Sequence, residues 1–244
     1  MKPELPSRPA SRRLRPAHHQ ARLVLGVSVA ATALVYAVPF LRSLAYPLLL
    51  LSTLAHELGH GVAALVAGGS FHRLEIFADG SGVATWSGEQ SRLRLAFVAA
   101  GGLVGPAFAA ALGFWGGRTA RGARRSLALL AAVSGVALVM VVRGAFAMLF
   151  VALFTAVLVL MARSASDELA QLFLIFLSVQ LALSVFSRGD YLFTPVARTA
   201  RGPMPSDVGQ IASALLLPYW FWGFLCGALS VAVLIVGLRV FWRR

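Results

Sequence analysis

The chain has a single cysteine in 244 residues, Cys226. A lone cysteine excludes an intramolecular disulfide and any cysteine-based zinc site; inside an apolar run it reads as a small core residue. Charge is scarce as well, with Asp, Glu, Lys and Arg making up 13% of the residues, about half of what a soluble domain carries. Acidic residues are the scarcest, nine against 22 basic ones, so each carboxylate can be weighed individually. What remains is 59% hydrophobic and comes in long runs bounded by arginines. That composition describes an integral membrane protein.

A span needs about 20 mainly apolar residues, and candidates lie at 23–40, 44–67, 93–115, 126–142, 144–162, 169–187 and 211–241. The expected fold is all-α and polytopic, with six or seven transmembrane helices in one membrane-embedded domain over residues 23–244. Residues 1–22, rich in Pro and Arg, predict a disordered basic tail. The run after the tail lacks a convincing cleavage site and another span follows at once, so it is expected to remain as an anchor.

The net charge of +13 does not indicate a nucleic-acid partner. Its arginines gather in the tail, in one connection (Arg118, Arg121, Arg124, Arg125) and at the C-terminus (Arg239, Arg243, Arg244), with no aromatic-interleaved basic surface. This is the pattern of the positive-inside rule, and it puts the basic N-terminus in the cytoplasm; the plasma membrane is the expected location. Seven spans would leave the two arginine-rich ends on opposite faces, so one candidate is expected not to cross fully.

Within the second candidate, residues 56–60 read His56-Glu57-Leu58-Gly59-His60. On a helix, histidines four apart share a face and can hold one zinc, with Glu57 beside them as general base. Three ionisable side chains in five positions at bilayer depth are costly without a functional partner, at about 2.5 kcal/mol or more per charge. Haem fits less well, because both histidines sit on one helix. Gly59, Ala63 and Ala67 form a small-residue stripe that Gly101, Gly105, Ala109 and Gly113 match in the third candidate, where Pro106 interrupts the backbone ladder. Close packing of the two would wall the metal off from lipid.

A catalytic zinc needs a third protein ligand. Glu4, His18 and His19 are in the tail, and Asp167 and Glu168 follow Ser166 at a helix start, where capping and the helix dipole account for them. His72, Glu75, Asp79 and Glu89 belong to the polar stretch after the motif. Asp190 and Asp207 remain, on either side of a Pro- and Gly-rich connection. A solvated loop is the plain alternative for Asp190, and N-capping for Asp207. Residues 71–86 hold two β-prone runs around Asp79-Gly80, which predicts a hairpin. Its edge could take up an extended substrate segment; alternatively Phe71, Phe77 and Trp86 anchor it at the headgroups.

These residues resemble the site-2 proteases, intramembrane zinc metalloproteases. The likeness is to a small bacterial branch, carried by Ala55-His56-Glu57-Leu58-Gly59-His60, Asp79-Gly80-Ser81-Gly82, Ala100-Gly101-Gly102-Leu103-Val104-Gly105-Pro106 and Ser206-Asp207 leading to Leu217-Pro218-Tyr219-Trp220. The resemblance implies zinc at His56 and His60, Glu57 as general base, an aspartate from a later segment as third ligand, and membrane-embedded or membrane-anchored protein substrates. The Asn-Pro…Leu-Asp-Gly block that usually carries that aspartate is absent here. Ser206-Asp207 recurs in the branch, so the resemblance favours Asp207, with Asp190 in reserve. The missing block also motivates a second reading, a non-proteolytic membrane protein with a structural or partner-binding metal site. A metal transporter is disfavoured by the absence of a carboxylate relay across the other spans.

Overall fold

The computed structural model describes residues 45–244 apart from Gln90, 188–191 and Arg244, together with Leu23, 25–30, 32–34 and Val38. The expected tail at 1–22 and Asp190 lie outside the described residues.

Helix α1, Tyr46–Val66, carries the motif, followed by strands β1, Ser70–Ile76, and β2, Gly82–Ser87. Four long helices come next: α2, Arg92–Gly116; α3, Ala120–Met140; α4, Ala145–Arg163; and α5, Asp167–Ser187. A second hairpin, β3 (Val196–Thr199) and β4 (Gly202–Pro205), precedes a short α6, Asp207–Leu215, and a long α7, Tyr219–Trp242. Six of these helices, all but α6, are long and apolar enough to cross a membrane. The two hairpins are separate antiparallel two-stranded sheets. The expected all-α polytopic fold with a hairpin after the motif helix is what the structure shows.

Six spans return the chain to the face it left, so Tyr46 and Trp242 share a face; the parity of the N-terminal arginines turns on the candidate at 23–40. Arg118 donates to the Arg243 carbonyl at 2.8 Å, and Arg124 reaches Ala162 O at 2.9 Å and Asp167 Oδ1 at 2.7 Å. The arginine-rich ends of α2, α3, α4 and α7 therefore gather on one side. The candidate at 23–40 lies partly outside the described residues; within it Leu25–Leu34 is a short apolar helix whose Thr32 hydroxyl bonds Gln180 of α5. The candidate at 211–241 is two helices, because Leu216 adopts a left-handed φ of 66° and Pro218 starts α7.

The small-residue stripes meet at Gly59, Ala63, Gly101 and Gly105, whereas Gly113 packs on Ser178 and Leu174 of α5. A Cβ on Gly59 would fall on the Gly101 carbonyl, one on Gly101 would strike Ala63, and one on Gly105 would come within 3.0 Å of the Gly59 Cα. The backbones of α1 and α2 therefore touch along this seam, a contact available only to small residues. Pro106 is buried inside α2 without ending it.

The first hairpin packs against protein. It folds back along α1, with its tip fastened to the first half of that helix: Tyr46 donates to Ala78 O at 2.7 Å and Thr53 to Gly80 O at 2.7 Å. Gly80 takes φ +84°, as the turn after Asp79 requires. On the outer edge of β1, Leu74 N donates to Val141 O and Arg143 N to Leu74 O, and Leu74 and Ile76 enter the hydrophobic core. Phe71 packs on Gly61, and Trp86 joins Ala63, Ala64 and Val98. Irregular backbone at membrane depth is tolerated where protein buries it or where it lines a polar cavity, and this hairpin does both.

Candidate metal centre

His56 and His60, one turn apart on α1, point at Asp207, the first residue of α6. His56 Nε2 lies 3.0 Å from Asp207 Oδ2, His60 Nε2 lies 3.3 Å from Asp207 Oδ1, and the two Nε2 atoms are 3.2 Å apart. Asp207 is buried. The cap expected of Asp207 is supplied by its neighbour instead: Ser206 Oγ accepts from Gly209 N at 3.1 Å and is held by Thr194 O. Asp207 is thus left to turn its carboxylate toward the histidines.

The other nitrogen of His60, Nδ1, lies 2.8 Å from the Val98 carbonyl of α2. A carbonyl can only accept, so Nδ1 carries the proton, and in the neutral ring Nε2 presents a bare lone pair. Asp207 Oδ2 is buried and faces His56 Nε2 at 3.0 Å. A proton on His56 Nε2 satisfies the His56–Asp207 pair alone, whereas one shared cation satisfies all three groups at once. Ligand atoms 2.0–2.1 Å from a tetrahedral zinc stand about 3.3 Å apart, close to the separations seen here. His56, His60 and Asp207 therefore form a set that could hold a metal ion.

Glu57 is buried on the same helix. A Cβ at Gly82 of β2 would sit 2.6 Å from its Oε1, so only glycine there lets the hairpin approach this carboxylate. Gly102 of α2 plays the matching part for His60, whose ring would occupy the place of a Cβ. A cavity of about 80 Å³ opens at the centre, bounded by β2 on one side and by β4 and Gln210 on the other.

A family model described as Peptidase M50B-like matches residues 26–237. The chain belongs to this family, the site-2 proteases. No curated protein and no solved structure matches it. Membership agrees with the six apolar helices: this is an integral membrane protein of a family that is generally metal-dependent.

The other sequence candidates in the described residues have partners elsewhere. His72 Nε2 meets Ser87 Oγ at 2.6 Å on the exposed face of the hairpin. Glu75 pairs with Arg73 at 2.6 Å and with Arg201. Asp79 accepts from the amide and hydroxyl of Ser81, which hold its carboxyl below the usual carboxylate range. Glu89 pairs with Arg94, and Asp167 with Arg124. Sequence reasoning missed the Val98 carbonyl, which carries no side-chain signal. It also missed the second hairpin, although the β-prone residues Val196 to Thr199 before Arg201-Gly202 mark one.

Proposed function

We propose that this protein is an intramembrane zinc metalloprotease that hydrolyses peptide bonds of membrane-embedded or membrane-anchored proteins. His56, His60 and Asp207 hold the zinc, and Glu57 is the catalytic base. The observation that carries the reading is the convergence of two imidazole nitrogens and a buried carboxylate at 3.0–3.3 Å, next to a second buried carboxylate on the motif helix.

Bound zinc supplies Lewis acidity, which acidifies water and polarises a scissile carbonyl. Glu57 takes the proton at its carboxylate and delivers it to the leaving amine. Asp207 neutralises charge and, with Val98 fixing the His60 ring, keeps the donors oriented before substrate arrives. The second edge of β2 has no strand partner among the described residues and borders the cavity, so an extended segment can add to it by main-chain hydrogen bonds. A helical substrate must unwind to do so, which favours helix-weakening residues near the cut. The positive-inside rule assigns the arginine-rich face to the cytoplasm, and the resemblance to a bacterial branch supports a bacterial plasma membrane.

Cleavage in vesicles tests this. Reconstituted protein is expected to cut single-span model substrates that carry Gly or Pro near the centre, to cut all-Leu/Ala versions about tenfold more slowly, since each helix breaker lowers the cost of unwinding by about 1–3 kcal/mol, and to lose both activities to a zinc chelator. Zinc-loaded protein that cuts no substrate in the panel would favour a structural or partner-binding metal site instead.

A further inference from the structure

The cavity at the metal centre measures about 80 Å³, whereas sites that enclose a ligand measure about 300–1,000 Å³. In this measure a water needs about 10–15 Å³, so the cavity as it stands holds a few waters and is narrow for a peptide. Movement of one wall would widen the path of a substrate strand to β2.

The first hairpin is fastened too widely to be that wall, through Tyr46, Thr53 and the backbone of Leu74. The second hairpin is different. None of β3 or β4 joins a hydrophobic core cluster, and most of its residues are half-buried or exposed. Its base is pinned beside Asp207, where Ser206 N donates to Pro195 O at 3.0 Å. Its far end is tied across the cavity to the first hairpin by two contacts. The Arg201 guanidinium pairs with Glu75, and Ala200 N donates to Ser81 Oγ at 3.2 Å. Gly202, at φ +103°, makes the tight turn that presents Arg201.

We propose that the β3–β4 hairpin is a latch across the substrate cleft, with the Arg201–Glu75 ion pair as its catch. Released at that end, the hairpin pivots at Ser206 and opens the gap between β2 and β4 while Asp207 stays in place. Glu75 is shared with Arg73, so the carboxylate remains positioned on β1 when Arg201 departs. The latch rests on the proteolytic reading of the same site, but its test needs neither metal nor substrate.

The test labels a single thiol introduced by Ala84→Cys on the cavity-facing β2, in full-length protein with Cys226→Ala, using a maleimide coupled to a short peptide. Arg201→Ala and, independently, Glu75→Gln are expected to speed labelling about threefold to tenfold, the loss of a partly buried ion pair. Arg201→Lys should restore most of the slow rate. Labelling that is equally fast in the parent and in both variants overturns the latch. Zinc content measured on the same samples separates the two proposals: full zinc with unchanged labelling refutes only the latch, whereas faster labelling in metal-free protein supports the latch and refutes only the zinc site.

Discussion

Glu57→Gln is expected to retain the zinc content of the unmodified protein while lowering peptide-bond cleavage by about a hundredfold to ten-thousandfold, the usual contribution of a positioned general base. One residue from His56, the side chain is turned about 100° around the helix, and the donor set does not need it: His56, His60 and Asp207 already converge. Glutamine keeps the size and one hydrogen-bonding oxygen in the pocket that Gly82 leaves open, so the fold has little to adjust. What is lost is the proton acceptor. Normal turnover in this variant would show that proton transfer runs through another group.

Asp207→Ala should act on the opposite quantity. Loss of an outer-shell partner typically weakens metal affinity about 10–100-fold, and loss of a ligand from a three-ligand site should exceed that. Stability should change little, because the cap of α6 is Ser206 and its bond to Gly209 N survives; a lost cap would cost about 1 kcal/mol. Asp190→Ala, by contrast, should leave zinc in place. If Asp190→Ala strips the metal and Asp207→Ala spares it, the third ligand is Asp190.

The helices were legible because membrane spans are written in composition. Apolar runs bounded by Arg118 to Arg125, Arg143 and Arg163 mark the C-terminal ends of α2, α3 and α4 within a few residues. The histidine pair was legible because helical periodicity alone puts His56 and His60 on one face. The seam between α1 and α2 was legible too, since Gly59 and Gly101 have no reason to be small except close packing. Three things were not. The break between α6 and α7 depends on a left-handed Leu216, a residue type that gives no warning of positive φ. The hairpin's return along α1 depends on backbone acceptors, Ala78 O and Gly80 O, that meet Tyr46 and Thr53 only in three dimensions. Periodicity could not choose between Asp207 and Asp190, because an aspartate after a serine at a helix start has the same sequence appearance whether it caps or ligates. The resemblance favoured Asp207, and in the structure Asp207 faces both histidines.

The central claim is that one zinc sits between His56, His60 and Asp207, and elemental analysis of purified protein tests it most directly. The account predicts about one zinc per chain, and none in a His56→Ala/His60→Ala double variant whose helices still insert. Stoichiometric zinc retained by that double variant would contradict it.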